Sequence, residues 1–323
     1  MAHELAVKAD GRTAMAYVGD TPWHGRGERL TPGAAIEVWQ REAGLDYQID
    51  EAPVRFEAGG KLRSFGGRVV MFRNDTGEAL GLVSNRYKVV QPREVLEFFR
   101  DLCEQRGYQL ETAGVLFNGA KYWALARTPH EAVLRGKDRL GAYLLLASSC
   151  DGSTKTIAKY VQMRVVCNNT ITIALGERGR AAVCVPHSTK FNPTDVKIEL
   201  DLIDAAWKET VEVCHSLSKR AVKVDEAVKY LIELVGDPKR PLEEQQNAPV
   251  LADMMRSFTA SNAIGGELAS ARGTAWGLVN VVTEYVDHKR GRLIDRRLDN
   301  AFFNTDGGAE LKERAFSLAA TLL

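Results

Sequence analysis

Residues 140–175 constrain the fold more strongly than any other stretch of the chain. An apolar run leads into the turn-forming sequence Cys-Asp-Gly-Ser, then into a segment that holds Lys155 and Lys159, and then into a second apolar run that ends at Asn168 and Asn169. Apolar runs of about four to eight residues that are bounded by turn-forming residues are typical of buried strands. The stretch therefore predicts two central strands with a cationic turn between them.

The first part of the chain indicates further antiparallel strands. Strands are expected at residues 47–56, 66–73 and 79–84, where apolar and polar side chains alternate. Asn118-Gly119 is a strong hairpin signal because both residue types tolerate positive φ. Two helices are expected in the same part, over residues 32–43 and 92–106.

Beyond Pro193 the apolar residues recur at helical spacing in several segments. The chain is therefore expected to be an α+β protein with two domains. Its N-terminal half, residues 1–192, is predicted to be β-rich and antiparallel with two or three helices. Its C-terminal half, residues 193–323, is predicted to be all-helical.

The charge balance and the cysteines limit the class of protein. The 43 Lys and Arg residues nearly match the 42 Asp and Glu residues, so any affinity for a polyanion must come from local clusters of cations. The five cysteines are scattered and never form a CxxC pair, which argues against a disulfide framework and against a zinc knuckle. No segment is apolar over the ~18 residues that a membrane span needs. A cytoplasmic protein with no membrane partner is expected.

The central turn is a candidate site for phosphate groups. Residues 150–155 have the sequence Cys-Asp-Gly-Ser-Thr-Lys. Backbone N–H groups and cationic side chains suit phosphate oxygens because they supply hydrogen-bond donors and positive charge together. Lys155, Lys159 and Arg164 are therefore candidate nucleic-acid-binding residues, and Asn168 and Asn169 add polar groups at the end of the next strand. The alternative is an ordinary hairpin turn with solvated lysines.

Aromatic residues close to cations indicate a second kind of contact. Tyr87 directly precedes Lys88, and Trp123 follows Lys121 by two residues. Proteins that bind single strands combine a cationic groove with aromatic rings on which bases stack. Tyr87, Lys88 and Trp123 are therefore candidate binding residues, although an aromatic residue in an alternating strand is more often part of the core.

The segment near residue 280 carries Glu284 and His288 at helical spacing. These side chains are candidates for metal ligands, or for a general acid and base. A third ligand is not evident, so neither a metal nor another cofactor is predicted, and a hydrogen-bonded polar seam is the favoured interpretation. The chain also lacks the GxxxxGK[ST] sequence with which nucleoside triphosphatases bind phosphates.

Five sequence blocks together resemble the signature of a known family. They are Thr21-Pro22-Trp23-His24-Gly25, Leu80-Gly81-Leu82-Val83-Ser84 with Tyr87, Asp151-Gly152-Ser153, Arg164-Val165-Val166-Cys167-Asn168-Asn169-Thr170 and Thr283-Glu284-Tyr285-Val286-Asp287-His288. Over nearly its whole length the chain resembles the phage/plasmid-like protein family, a prokaryotic domain of unknown function found in prophages and on plasmids. Members often carry a histidine where this chain has Cys150, so a histidine-dependent role of the central turn is not expected here.

The resemblance implies a mobile-element setting but no settled activity. With a β-rich half, cationic turns and a helical second half, the chain is similar in outline to the RecT and Red-beta class of single-strand annealing proteins. The hypothesis is a non-enzymatic, homo-oligomeric protein that binds single-stranded DNA and acts in phage or plasmid recombination. Two alternatives stay open: a metal-assisted nucleic-acid hydrolase that uses Glu284, Asp287 and His288, and a counter-defence protein that binds a host protein.

Overall fold

A computed structural model describes residues 5–22, 25–164, 169–172, 182–201, 203–237, 239–240, 245, 248–290 and 307–323 of the chain. The fold is mixed α+β, with a β-rich N-terminal half and with helices mostly in the C-terminal half. This agrees with the α+β class and the β-rich N-terminal half that the sequence predicts, and the described residues of the C-terminal half are mainly helical. Within the described part of the chain, no helix combines the length and the apolarity that crossing a bilayer requires.

The described strands form two sheets. In chain order they are β1 (Met15–Tyr17), β2 (Glu28–Arg29), β3 (Ile49–Ala58), β4 (Lys61–Arg73), β5 (Ala79–Ser84), β6 (Gln109–Leu116), β7 (Lys121–Leu134), β8 (Asp138–Ser149), β9 (Thr156–Arg164), β10 (Asn169–Thr172) and β11 (Ala182–Val185). The main sheet has the order β10-β9-β8-β7-β6-β1-β2, and β11 also pairs with β9. Only the β1–β2 pair is parallel among the described strand pairs. The second sheet has the order β3-β4-β5.

Helices pack on one face of the main sheet. The described α-helices are α1 (Ile36–Glu42), α2 (Pro92–Arg106), α3 (Pro193–Asp201), α4 (Ile203–Lys219), α5 (Val224–Val235), α6 (Pro249–Thr259), α7 (Ala275–Glu284) and α8 (Gly308–Ala320). A π-helical turn, Tyr285–Lys289, continues α7. Residues 261–273 form the loop between α6 and α7.

The central strands are buried on both faces, which explains their nearly continuous apolar sequence. Side chains alternate between the two faces of a strand. Leu144 and Tyr160 join a buried cluster that reaches Trp276 of α7, whereas Trp123 and Leu145 belong to a second buried cluster on the opposite face. A polar side chain in such a strand is tolerated only when it is paired or when its charge is suppressed. β8 and β9 therefore form the core of the protein.

Strands β3 and β4 continue beyond β5 as a two-stranded ribbon. β5 pairs with β4 only from Phe72 to Arg68, whereas β3 and β4 remain paired out to Ala58 and Lys61. The pairing of β3 with β4 shifts between Pro53, which pairs with Val69, and Arg55, which pairs with Ser64. One residue of β3 therefore lies opposite residues 65–68 of β4, and this bulge separates the ribbon from the part of the sheet that includes β5. Residues 61–68 are all exposed. Residues 54–68 are named the arm.

Candidate nucleic-acid interface

Three loops meet beyond the end of β5, and together they are named the loop junction: residues 84–88, 150–155 and 186–190. The backbone N–H of Lys88 donates to the carbonyl of His187 at 2.6 Å. The imidazole of His187 lies between the other two loops, with Nδ1 3.0 Å from the carbonyl oxygen of Lys88 and Nε2 3.1 Å from that of Thr154. The buried His187 therefore joins all three loops.

Tyr87 supports the same arrangement. Its hydroxyl donates to the carbonyl of Ser149 at 2.9 Å, and its ring stacks on His187 with centroids 4.2 Å apart and an interplanar angle of 18°. Burial raises the pKa of Tyr87. Burial also lowers the pKa of His187, by more than the two backbone carbonyls raise it. Burial therefore favours the neutral form of both rings, and in that form the imidazole donates to only one of the two carbonyls. The junction is held by stacking and by hydrogen bonds to the backbone.

The central turn packs tightly against β5. A Cβ at Gly81 would lie 2.5 Å from the Cα of Asp151, so a residue with a side chain does not fit there without a backbone shift. Inside the turn, Oδ1 of Asp151 accepts a hydrogen bond from the N–H of Ser153 at 2.9 Å. Ser149 Oγ donates to the carbonyl of Thr154 at 2.9 Å. These contacts fix the backbone from which Lys155 extends.

Exposed cations surround the loop junction. They are Arg86, Lys88, Lys155 and Lys190, and none of them forms an ion pair with a described residue. Asp151 is the single carboxylate in the sequence of the three loops. The balanced charge of the whole chain therefore conceals a local excess of positive charge, which is the property that attracts a polyanion.

The structure brings together three of the residues that the sequence predicts for the site, namely Tyr87, Lys88 and Lys155. Arg86 and Lys190 complete the cationic surface and are not among the predicted residues. Arg86 directly precedes Tyr87, so a signal for it was present in the sequence. Lys190 lies far from the other cations along the chain, and the pairing of β11 with β9 and the contacts of His187 bring its loop to them.

Lys159 does not belong to this surface, contrary to the sequence prediction. β9 begins at Thr156, so Lys159 lies inside a strand that pairs with β8 on one side and with β11 on the other. Its exposed fraction is 7%. Burial, and then the charge of Lys312, lower the pKa of Lys159 to about 8. Its ammonium group therefore has no access to a phosphate on the surface.

Arg164 is also placed in the interior, with an exposed fraction of 2%. Its Nε donates to both carboxylate oxygens of Asp138, at 2.8 and 2.9 Å. Its terminal nitrogens donate to the carbonyls of Ile264 at 3.1 Å and Gly265 at 2.8 Å. The guanidinium is occupied by these contacts, so the predicted role of Arg164 in binding phosphate is corrected to one in holding the fold.

Trp123 cannot stack on a base in this structure. It is fully buried, and its Nε1 donates to the hydroxyl of Thr112 at 3.1 Å. The alternative interpretation, that an aromatic residue in an alternating strand belongs to the core, holds for this residue. Asn168 lies outside the described residues, and Asn169 is described by its backbone, which pairs with that of Arg164 in the main sheet.

The carboxylate of Glu284 is already engaged within the protein. α7 ends at Glu284 and the next turn is π-helical, which changes the spacing on which the prediction rested. Oε2 of Glu284 accepts a hydrogen bond from the N–H of Ile264 at 2.7 Å. Among the described residues, no group of three or more His, Cys, Asp or Glu side chains could hold a metal ion. The geometry therefore gives no support to the hydrolase alternative.

The fold and the loop junction define a class of protein: a mixed α+β chain whose largely antiparallel sheet carries an exposed cationic surface built from three loops. The chain belongs to the family "Domain of unknown function (DUF932)", whose model matches residues 79–312. The matched range contains the whole loop junction and excludes the arm. No curated protein and no solved structure matches the chain.

Proposed function

We propose that the protein binds single-stranded DNA at the loop junction, and that it acts without catalysis in the recombination or annealing of phage or plasmid DNA. The observation that carries the proposal is the set of four exposed cations without an ion-pair partner in the described part of the chain: Arg86, Lys88, Lys155 and Lys190. Phosphate contacts by such side chains supply most of the sequence-independent affinity for nucleic acids.

The way in which the junction is built supports this proposal. The three loops are held by a neutral histidine, a neutral tyrosine and backbone hydrogen bonds. The cations are therefore not needed to hold the loops, and they are available to a ligand. Tyr87 holds the loops in position instead of stacking on a base, because its hydroxyl and one face of its ring are already engaged.

The setting is part of the same proposal. A phage or plasmid origin rests on the resemblance of the five sequence blocks, and a homo-oligomeric state rests on the likeness in outline to annealing proteins. A cytoplasmic location is supported by the cysteines in the described chain, Cys103, Cys150, Cys184 and Cys214, which are free thiols.

The test is the salt dependence of binding to a labelled oligothymidine, measured by fluorescence anisotropy. The variant Arg86→Gln/Lys88→Gln/Lys155→Gln/Lys190→Gln removes the four cations. Each phosphate contact to a single strand contributes about −0.7 to the slope of log K against log salt, so we expect the slope to become shallower by about 2 to 3. Affinity at low salt should fall accordingly.

A matched control changes the same charge elsewhere. Lys208→Gln/Lys219→Gln/Lys229→Gln/Lys239→Gln removes four exposed cations from the helical half, and we expect it to keep the slope of the wild type. If the wild type does not bind at low salt, or if the junction variant and the control variant bind alike, the proposal is wrong. Binding of a host protein at the junction instead of DNA would support the counter-defence alternative.

A further inference from the structure

The arm concentrates positive charge. It holds the four cations Arg55, Lys61, Arg63 and Arg68 and the single carboxylate Glu57, whereas the whole chain has 43 cations and 42 carboxylates. All five side chains are exposed, and none of them forms an ion pair with a residue that the structure describes. The arm therefore carries uncompensated charge away from the body of the protein.

The two faces of the arm differ in chemistry. Residues directly opposite each other in antiparallel strands share a face, so Phe56 lies beside Arg63, and Ala58 beside Lys61. This face has two cations next to an aromatic ring and has no carboxylate. The other face pairs Glu57 with Leu62.

Exposed aromatic rings add a second property. Phe56 is 45% exposed and Phe65, in the bulge, is 53% exposed. A two-stranded ribbon alone is marginally stable in water, and large apolar side chains that stand in solvent mark interaction surfaces. A protein partner would cover the rings but leaves the unpaired cations unexplained. A single strand explains both, because bases stack on the rings while phosphates contact the cations.

The root of the arm is continuous with the loop junction. Arg68 pairs with Ser84, the residue at which the junction begins. The N–H of Asn85 donates to the carbonyl of Gly67 at 3.2 Å. Gly67 has a φ of +81°, a conformation that glycine adopts without strain and that lets the chain turn at the bulge. The base of the arm therefore lies next to the residues at which the loop junction begins.

We propose that the arm and the loop junction bind the same single strand, with Phe56 and Phe65 stacking on bases and with Lys61 and Arg63 contacting phosphates. This inference rests on the proposed function and adds to it that unpaired bases are recognised as well as the phosphate backbone. Because the arm lies outside residues 79–312, this contact is additional to the part of the chain that the family model matches.

The experiment separates stacking from charge. Phe56→Ala/Phe65→Ala removes the rings, and Leu62→Ala is the matched control because it removes an exposed apolar side chain from the opposite face. Binding is measured with an oligothymidine of about 30 nucleotides, longer than one single-strand site of about 4–16 nucleotides, and with an abasic oligomer of equal length. We expect the double variant, which loses two stacking rings, to bind oligothymidine at least about 30-fold more weakly than the wild type.

The two further measurements have defined outcomes. The abasic oligomer keeps the phosphates and has no bases, so the double variant and the wild type should bind it equally. Leu62→Ala should bind both oligomers as the wild type does. Thermal unfolding followed by circular dichroism should not change, since the substituted side chains are exposed.

The outcomes distinguish this inference from the proposed function. Failure of the wild type to bind any oligomer removes both. If the wild type binds and the double variant binds oligothymidine equally well, the arm proposal is overturned while the junction proposal stands. Equal losses for oligothymidine and abasic oligomer would exclude stacking. If the double variant keeps its affinity for DNA but loses self-association in sedimentation, the arm contacts a second copy of the chain, and the inference is also overturned.

Discussion

At the scale of single residues, Lys159 shows what burial does to a charge. Its pKa is lowered from the ordinary value of 10.5 to about 8, and the charged groups near it are Lys312, Glu313 and Asp287. Between these two values the unfolded chain binds more protons than the folded chain. The free energy of unfolding therefore rises with pH across this window, and the cost of the buried charge is fully present below about pH 8.

Lys159→Met should stabilise the protein. Methionine keeps the length of the side chain without a charge, so we expect the free energy of unfolding at about pH 7 to increase by about 1–3 kcal/mol, and the gain to vanish above about pH 10. Chemical denaturation at several pH values measures this. The same variant should keep its affinity for oligothymidine, and a loss of affinity like that of the junction variant would show that Lys159 reaches the ligand.

The contrast between Lys155 and Arg164 shows which side-chain environments can be predicted from the sequence and which cannot. Lys155 follows a turn whose signal is local, and it is exposed as a turn residue should be. The carboxylate partner of Arg164 lies 26 residues away along the chain, and its carbonyl partners lie about 100 residues away. No local pattern specifies such partners, so a cation in a buried ion pair resembles a cation in a binding site until the fold is known.

At the scale of elements, local signals account for the boundaries that the sequence predicts correctly. α2 begins at Pro92, directly after Gln91, whose N–H is capped by Glu94, and it ends at Arg106, just before Gly107 with a φ of +71°. α1 begins at Ile36 instead of residue 32. The N–H of Ala34 donates to the carbonyl of Thr31 in a separate turn, so the signal that predicts the start of the helix serves that turn instead.

The turn of the arm could be predicted from the sequence, but its strands could not. Gly59-Gly60 is a two-residue turn signal, and both glycines have positive φ. The sequence nevertheless predicts that one strand ends at residue 56 and that the next begins at residue 66. A ribbon that is exposed on both faces has no apolar periodicity, so the pattern from which strands are recognised is missing there.

The loop junction should depend on pH through His187. Burial lowers its pKa below the ordinary value of 6.5. Between the folded and unfolded pKa values of His187 the unfolded chain binds more protons than the folded chain. The contribution of the neutral ring to the free energy of unfolding is therefore fully present above about pH 6.5, and it is lost as the pH falls toward the folded pKa. The charged group that acts on the ring is Asp151, and Lys88 and Lys155 belong to the loops that the ring contacts.

His187→Gln provides the comparison. We expect the wild type to be less stable at about pH 5 than at about pH 7.5, and we expect this difference to be smaller in His187→Gln, because glutamine does not titrate. Chemical denaturation of both proteins at the two pH values measures the difference. An identical pH dependence in the two proteins would show that other groups, and not His187, are responsible.

At the scale of the whole molecule, the two halves share one core. The buried cluster on the helical face of the sheet includes Tyr122 and Leu144 from the β-rich half and Trp207 and Trp276 from the helical half. The division into domains at residue 192 is a prediction from the change of pattern in the sequence. Such a change marks where the secondary structure changes, and it carries no information on whether the two parts pack together.

Asp138 connects the halves most directly. Besides Arg164, its carboxylate accepts hydrogen bonds from Ser270 Oγ at 2.6 Å and from Trp276 Nε1 at 3.1 Å. Asp138 and Arg164 belong to β8 and β9, whereas Ser270 and Trp276 belong to the helical half. Removing one partner of a buried ion pair leaves the other charge uncompensated and costs about 3–5 kcal/mol.

Asp138→Ala should therefore destabilise both halves together. We expect the free energy of unfolding to fall by about 3–5 kcal/mol, and the double variant Asp138→Leu/Arg164→Met to lose less, because it leaves no unpaired charge. Hydrogen exchange along a urea titration follows peptides of β8 and of α7 separately. If the halves form one cooperative unit, both sets of peptides lose protection at the same lowered urea concentration. If peptides of β8 lose protection at the same urea concentration as in the wild type while peptides of α7 lose it at a lower concentration, the chain consists of two separable domains.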